Sequence, residues 1–124
     1  MNEHLLHVKK KRAYESPDSG DGVRILVDRL WPRGMSKSRA DIDIWMKEIA
    51  PSDALRKWYG HRPERFSEFA KRYSIELHSG ERREYLRRLR EMAAHKTVTL
   101  VYAAKDEEHS NARVLADELV LPGL

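Results

Sequence analysis

Two short stretches of the sequence combine side chains that bind anions with side chains that can transfer a proton. The first is DRLWPRGMSK, residues 28–37, and the second is KDEEHSN, residues 105–111. Arginine presents a planar fork of N–H donors that fits a phosphate or carboxylate group, and lysine adds a positive charge. Aspartate and histidine can act as acid or base in a catalytic site. These residue types predict a site for an anionic small molecule with acid–base groups beside it.

Each candidate residue has a role that follows from its chemistry. The residues predicted to bind the ligand are Arg29, Arg33, Gly34, Lys37, Lys105 and Asn111. The residues predicted to act as acid or base are Asp28, Asp106 and His109. Gly34 is included because a glycine lets the backbone approach a ligand or adopt a positive φ. The site would serve either a small enzyme, with an activated water as nucleophile, or a sensor that only binds.

A purely structural interpretation of the same residues stays open. Charged residues at strand ends often satisfy each other, and serine or asparagine often caps a helix. The structural roles are an ion pair of Asp28 with Arg29, Arg33 or Arg56, a core-covering role for Trp31 and Pro32, an N-cap at Ser110 or Asn111, and an ordinary loop histidine at position 109. The gathering of so many costly side chains in two loops favours a site over all of these roles at once.

Several common catalytic and binding motifs are missing from the sequence. It contains no cysteine, which excludes disulfides, thiol nucleophiles and thiolate metal sites. The motifs GxGxxG, GxxxxGK[ST], GxSxG and HExxH do not occur. The six histidines lack the spacing of a zinc site with a third ligand. We therefore predict neither a metal nor a cofactor.

The strands that must position the two loops are visible as apolar or β-branched runs. Strands are predicted at residues 5–12, 23–27, near 42–46 and 97–104. The run at 23–27 is almost continuously apolar, as in a strand buried on both faces of a parallel sheet. The connection between the first two strands is short for a parallel crossover, which needs about a dozen residues. Those two strands therefore either pair antiparallel, or the first is an edge strand.

Four helices are predicted between and after these strands. The first begins after the N-cap Ser52 and ends at Gly60. The second begins at Pro63 and places Phe66, Phe69, Ala70, Tyr73 and Leu77 on one face. A third covers 85–93 with a basic outer side, and a last one over 112–119 ends near Pro122 and Gly123. Their alternation with strands is typical of an α/β fold.

The predicted architecture is a single α/β domain over residues 1–124. We expect a three-layer sandwich with a small, mostly parallel sheet of about four strands and about four helices. In open α/β sheets, ligands bind beyond the carboxyl ends of the strands. Residues 28–37 and 105–111 each follow a predicted strand. If those strands are parallel neighbours, both loops open at the same edge of the sheet and form the anion site there.

The charge balance leaves a second class of function open. The chain has 24 basic and 20 acidic residues, a net charge of +4 and a pI near 9.4. Acidic and basic residues alternate in most helical segments, which is typical of a solvated surface. The alternative is a binding module for nucleic acid or an acidic protein, less favoured than the anionic small molecule. It would use Arg82, Arg83, Arg87, Arg90 and the basic run at 9–12.

A third class is an interaction protein that acts as a dimer. Three tryptophans, at positions 31, 45 and 58, could form an exposed aromatic patch. The sequence does not determine the oligomeric state. It contains no apolar run near the roughly 20 residues that span a bilayer, and the charges at its N-terminus follow the apolar patch instead of preceding it. We therefore expect a soluble, cytoplasmic protein with no membrane partner.

The motifs also resemble a known family. The segments DGVRILVDRLWPRGMSK, WMKEIAPSDALRKWYGH, RFSEFAKRYSIEL and VTLVYAAKDEEHSNARVLADEL are similar to the YeaO-like family of small bacterial proteins, over about residues 8–120. The resemblance implies a compact α/β domain but no established activity. The positions that match the family pattern are Asp28, Arg29, Trp31, Pro32, Arg33, Gly34, Lys37, Ser52, Arg56, Tyr73, Lys105, Asp106 and Asn111.

The chain departs from the family pattern at two places. The family tends to have asparagine after the position of His109, where this chain has Ser110. The departure puts a ligand contact at that position in doubt, although serine still caps a helix well. The resemblance also implies that a wider branch of the group carries a cysteine at the end of the strand that matches residues 97–102. Ala103 and Ala104 stand there instead, so thiol chemistry is excluded for this chain.

Overall fold

The computed structural model describes residues 6–121. Its sheet has four strands, β1 (Val8–Arg12), β2 (Val23–Leu26), β3 (Ile44–Trp45) and β4 (Val98–Tyr102). The strand order is β1-β4-β2-β3, and each neighbouring pair is parallel. The predicted α/β fold with a parallel sheet of about four strands is confirmed. Residue 5, where the first strand was predicted to begin, lies outside the described residues.

Five helices accompany the sheet within the described range, where about four were predicted. They are α1 (Lys37–Ala40), α2 (Asp53–Tyr59), α3 (Phe66–Leu77), α4 (Gly80–His95) and α5 (Asn111–Val120). The additional helix, α1, is a single turn that follows the N-cap Ser36. Ser52 caps α2 and Gly60 ends it in the left-handed conformation, as predicted. The predicted end of the last helix at Pro122 and Gly123 lies outside the described residues.

The first strand lies at an edge of the sheet, because β4 is inserted between β1 and β2. Val8 and Val23 both stand opposite Val98, one on each side of β4. The edge alternative for β1 is therefore confirmed, and the antiparallel pairing of β1 with β2 is wrong. The short connection only has to cross one strand, and it contains a turn of 3-10 helix at Ser19–Asp21.

The larger core lies between the sheet and the longer helices. Ile25 and Leu100 of the sheet are fully buried and belong to one cluster with the apolar side of α3. That side presents Phe69, Tyr73 and Leu77, as the helical spacing predicts. The hydroxyl of Tyr73 donates to the carbonyl of Ile49 at 2.7 Å, so this buried phenol is satisfied.

The opposite face of the sheet is covered by a thinner layer of chain. Leu26 and Val101 form a small buried cluster with Ala13, and Trp31 and Trp45 pack against it. The two indole rings meet edge to face with their centroids 5.4 Å apart. The third layer of the sandwich is therefore built mainly from loops around α1. At no point in residues 6–121 is a helix both long and apolar enough to cross a membrane.

A buried ion pair anchors this thinner layer to the sheet. Arg24, whose side chain is only 3% exposed, lies in β2 and binds Asp21 through Nη1 at 2.7 Å. Its Nη2 donates to the carbonyl of Ala40 at 2.7 Å, at the end of α1. Lys11 of β1 reaches the same carboxylate, with 3.0 Å between Nζ and Asp21 Oδ1. The one arginine in an otherwise apolar strand therefore connects three segments of the chain.

We expect Arg24→Met to destabilise the fold by about 3 kcal/mol or more, because removing one partner leaves a buried charge poorly compensated. Urea denaturation measures the free energy of unfolding. Arg87→Met is the matched control, since the Arg87 side chain is 60% exposed and pairs with Glu84 at the surface. An equal midpoint for the two variants would show that the buried pair does not hold the layers together.

Candidate functional site

A cleft of about 720 Å³ opens at the carboxyl edge of the sheet. It lies where the chain leaves β2 and β4, which are parallel neighbours with Leu26 opposite Val101. Both predicted loops therefore reach the same place, as the topology argument required. The predicted site residues that line the cleft are Asp28, Arg29, Arg33, Lys105, Asp106, His109 and Asn111.

Gly34 and Lys37 are not among the lining residues of this cleft. Gly34 adopts a φ of 77°, and a Cβ added there would meet no atom within 4 Å. The positive φ of the turn therefore explains the glycine at this position, and no neighbouring group lies close enough to require the absence of a side chain. Lys37 is exposed and begins the single turn of α1. These two predicted ligand-binding residues therefore belong to the loop but do not line the cleft.

Asp28 lies at the base of the cleft and joins the two strand ends. Its Oδ2 accepts a hydrogen bond from the backbone N–H of Ala103 at 2.9 Å. Its Oδ1 accepts from the side-chain amide of Asn111 at 3.1 Å, and the same amide donates to the carbonyl of Val27. None of the three ion pairs predicted for it, with Arg29, Arg33 or Arg56, forms within residues 6–121, and both carboxyl oxygens have other donors. Asp28 therefore has a structural role inside the site.

Burial raises the pKa of Asp28 above its usual range, although the hydrogen bonds from Ala103 and Asn111 act in the opposite direction. The nearby His61 also lowers it, through its charge. A carboxyl group with a raised pKa in a cleft is a common feature of functional sites, and also of buried structural networks.

Four cationic side chains line the cleft, namely those of Arg29, Arg33, Arg56 and Lys105. Arg29 Nε is 3.7 Å from Asp53 Oδ1, too far for a hydrogen bond. In the part of the chain that the structure describes, this Nε is the buried side-chain polar atom that has no hydrogen-bond partner. A buried N–H without an acceptor is costly, and the nearby charge of the Asp53 carboxylate offsets part of that cost.

His109 and Asp106 form a pair on the wall of the cleft. His109 Nδ1 lies 2.7 Å from Asp106 Oδ2, and a carboxylate partner requires the proton on Nδ1. The hydrogen bond from His109 lowers the pKa of Asp106. The imidazole also packs edge-on against Phe66, with ring centroids 5.1 Å apart. The arrangement fixes the ring and leaves Nε2 as the nitrogen that can accept a proton.

The first turn of α5 closes one side of the cleft. Ser110 is its N-cap and is buried, with its hydroxyl accepting from the backbone N–H of Arg113 at 3.2 Å. Asn111 uses its amide to support Asp28 and the end of β2. The capping role is therefore confirmed for Ser110. The departure from the family pattern at this position keeps the helix start intact.

Trp31 and Pro32 cover the thinner side of the sheet beside the cleft. Pro32 is buried, and Trp31 Nε1 donates to the carbonyl of Met35 at 2.6 Å. Trp45 Nε1 donates to the carbonyl of Asp28 at 2.8 Å. The two indoles therefore stiffen the loop that carries Arg29.

Among the Arg, Lys, His, Asp and Glu side chains that line the cleft, two were not predicted to belong to the site, Arg56 and His61. Arg56 was predicted only as an ion-pair partner of Asp28 and as a position matching the family pattern, and in the structure it donates to Asp53 at 3.2 Å. His61 follows Gly60 and has a φ of 57°, which is unusual for a residue with a side chain. Gly60 signals the end of α2, but only the packing of α2 beside the loops places the next residue in the cleft.

The remaining candidates lie elsewhere on the surface. Among residues 6–121, no group of three His, Asp or Glu side chains could hold a metal ion. The basic side of α4 is partly engaged within the chain, since Arg82 donates to the carbonyl of Ala50 and Arg90 to that of Leu121. Arg87 pairs with Glu84. These contacts are typical of a solvated helix face.

The raised pKa of Asp28 gives a pH dependence with a defined sign. Because the folded pKa of Asp28 is higher than its unfolded value of about 3.9, protonation of Asp28 contributes to the free energy of unfolding. This contribution is fully present below the unfolded pKa and is lost as the pH rises through the folded pKa. The Asp28→Asn variant does not lose this contribution, because the asparagine side chain does not ionise. We therefore expect the unfolding free energy of the wild type, minus that of the variant, to fall as the pH rises above about 4.

Urea denaturation over a pH series measures this difference. Groups that both proteins share, such as Asp53, cancel in the subtraction. A difference that grows with pH would mean that the hydrogen bonds to Asp28 outweigh its burial.

Comparisons with known proteins place the chain in a family. Residues 7–121 match the family model described as "Inactive DUF488-N3 subclade". An uncharacterized protein of Mycobacterium tuberculosis is 46% identical over 112 residues, covering 90% of this chain and 92% of the relative. The uncharacterized protein YeaO of Escherichia coli is 40% identical over 114 residues, covering 92% and 97%. No solved structure gives a significant match. The chain therefore belongs to the Inactive DUF488-N3 subclade, and its likeness to YeaO confirms the YeaO-like resemblance of its motifs.

Proposed function

We propose that this protein binds a small molecule bearing a phosphate or carboxylate group in the cleft at the carboxyl edge of the sheet. Its role would be that of a sensor or binding protein. The lining contains four cationic side chains against the two carboxylates of Asp28 and Asp106, which leaves a net charge of +2 with neutral histidines. Such a cleft attracts anions, and its size is in the usual range for small-molecule sites, about 300–1,000 Å³.

The observation that carries the proposal is the guanidinium of Arg29, which lines the cleft and whose buried Nε lacks a hydrogen-bond partner in the described residues. The Arg29 side chain as a whole is 38% exposed, so an anion in the cleft would contact the accessible part of the guanidinium and gain a charge-assisted hydrogen bond there. The neighbouring Trp31 and Pro32 hold the loop, so little of the loop would need to be ordered on binding.

Two further observations favour binding over catalysis. The family is described as inactive, and the chain has Ala103 and Ala104 at the position where the family resemblance implies a cysteine in a wider branch of the group. Asp28 already accepts hydrogen bonds at both carboxyl oxygens, so it has little capacity to act as a base.

The pair of Asp106 and His109 supports a second candidate, a small hydrolase that uses the same cleft. A carboxylate that orients a histidine is the arrangement by which many enzymes activate a water or hydroxyl. In this version the arginines would hold the anionic group and His109 would take the proton of the attacking water.

The binding proposal predicts that Arg29→Met weakens binding of inorganic phosphate and of acetate by tenfold or more. A hydrogen bond to a charged group contributes about 1.5–3 kcal/mol, and about 1.4 kcal/mol corresponds to tenfold in affinity. Titration followed by NMR measures these weak affinities. Arg87→Met serves as the control, because its side chain lies on α4 and outside the cleft.

The melting temperature of each variant separates binding from folding. Unchanged phosphate affinity in a folded Arg29→Met variant would refute the assignment of Arg29 to the anion. Lost affinity together with a large drop in melting temperature would point to a structural role instead.

The binding and hydrolase candidates differ in turnover. We expect no hydrolysis of p-nitrophenyl phosphate above the buffer rate. If the wild type does hydrolyse it, and His109→Asn lowers kcat by about a hundredfold or more, the hydrolase is the better description. Glu84→Gln controls for substitutions at the surface, since Glu84 lies on α4 away from the cleft.

A further inference from the structure

We infer that the ligand is a phosphomonoester whose organic part is an aromatic ring. The inference rests on the proposed function and concerns the same cleft. It follows from two exposed apolar side chains of the lining, Leu30 and Tyr14, which form the apolar lip. It also follows from the positive charge of the cationic wall, which consists of Arg29, Arg33, Arg56 and Lys105.

The apolar lip is formed by Leu30 and Tyr14. The structure exposes five large hydrophobic side chains within residues 6–121, and these two are the ones that line the cleft, at 61% and 42% exposed. The other three are at the surface of α3 and at the end of α5. An exposed leucine beside charged groups gains by losing water, which a planar apolar ring would provide.

The lip is connected to the cationic wall through the backbone. Leu30 directly follows Arg29, and the hydroxyl of Tyr14 donates to the carbonyl of Arg33 at 3.0 Å. Trp31 and the buried Pro32 complete this side of the cleft. A ligand with its anionic group at Arg29 would therefore place an attached ring against Leu30, one residue away.

The charge of the lining favours a phosphomonoester over a carboxylate. A phosphomonoester carries about −1.5 to −2 charges at neutral pH, whereas a carboxylate carries one. The four cations of the lining exceed its two carboxylates by two. Asp53 lies outside the lining, pairs with Arg56 and stands 3.7 Å from Arg29 Nε, so it lowers this excess of positive charge without cancelling it.

The test compares four probes on the wild-type protein, namely phenyl phosphate, inorganic phosphate, benzoate and phenol. We expect phenyl phosphate to bind at least about tenfold more tightly than inorganic phosphate, because ring burial adds to the anion contacts. Benzoate should bind more weakly than phenyl phosphate, and phenol should show no saturable binding.

Leu30→Ser tests the lip itself. We expect it to reduce the ratio of phenyl phosphate affinity to inorganic phosphate affinity severalfold. Ile75→Ser is the matched control, because Ile75 is 68% exposed on α3 and does not line the cleft. The control should leave the ratio unchanged.

The outcomes separate this inference from the proposed function. Equal binding of phenyl phosphate and inorganic phosphate, or a ratio that Leu30→Ser does not change, overturns the aromatic ligand and leaves the anion site standing. Benzoate binding more tightly than phenyl phosphate overturns the phosphomonoester. The absence of binding by all three anions overturns both the inference and the proposed function.

Discussion

The partly buried carboxylate of Asp28 is the contact on which the geometry of the cleft depends. It receives one hydrogen bond from the chain leaving β4 and another from the start of α5, while its own backbone ends β2. The end of β2 therefore meets the end of β4 and the start of α5 at one side chain, although Asp28 and Ala103 are 75 positions apart in sequence. Burial raises the pKa of Asp28 because it disfavours the charged carboxylate, whereas the hydrogen bonds from Ala103 and Asn111 stabilise the charged form. Asp28 also lines the cleft, so these hydrogen bonds fix part of its wall.

The two faces of the sheet are stabilised by different interactions, and the cleft lies at the edge that they share. On one face, apolar residues of α3, α4 and α5 form a conventional core. On the other, short helix and loop segments are too small to bury much apolar area, and the ion pair of Arg24 with Asp21 ties them down. Fixing that thinner layer also fixes the loop that carries Arg29. Stability on the thin face is therefore a condition for the arrangement of cations in the cleft.

The residues of the cleft divide into those whose hydrogen bonds are satisfied within the chain and those that have donors left over. Asp28, Asn111 and Ser110 belong to the first kind, since their polar atoms bind the backbone or each other. Arg29 belongs to the second, because its buried Nε has no acceptor in residues 6–121. The distinction assigns the first group to the scaffold. Under the proposed function, recognition of a ligand would fall to the cationic side chains of the lining.

Local patterns in the sequence determined the four longer helices, the strands and the two loops of the site, but not the single turn of α1. The spacing of Phe69, Tyr73 and Leu77, the cap at Ser52 and the stop at Gly60 act over a few residues, so they are readable without the fold. The insertion of β4 between β1 and β2 and the entry of His61 into the cleft were decided only by the tertiary structure. Lys37 shows the same limit, since proximity in sequence to Arg33 did not bring it to the cleft wall. Strand order and side-chain direction depend on contacts between distant segments, and short-range periodicity carries no information about them.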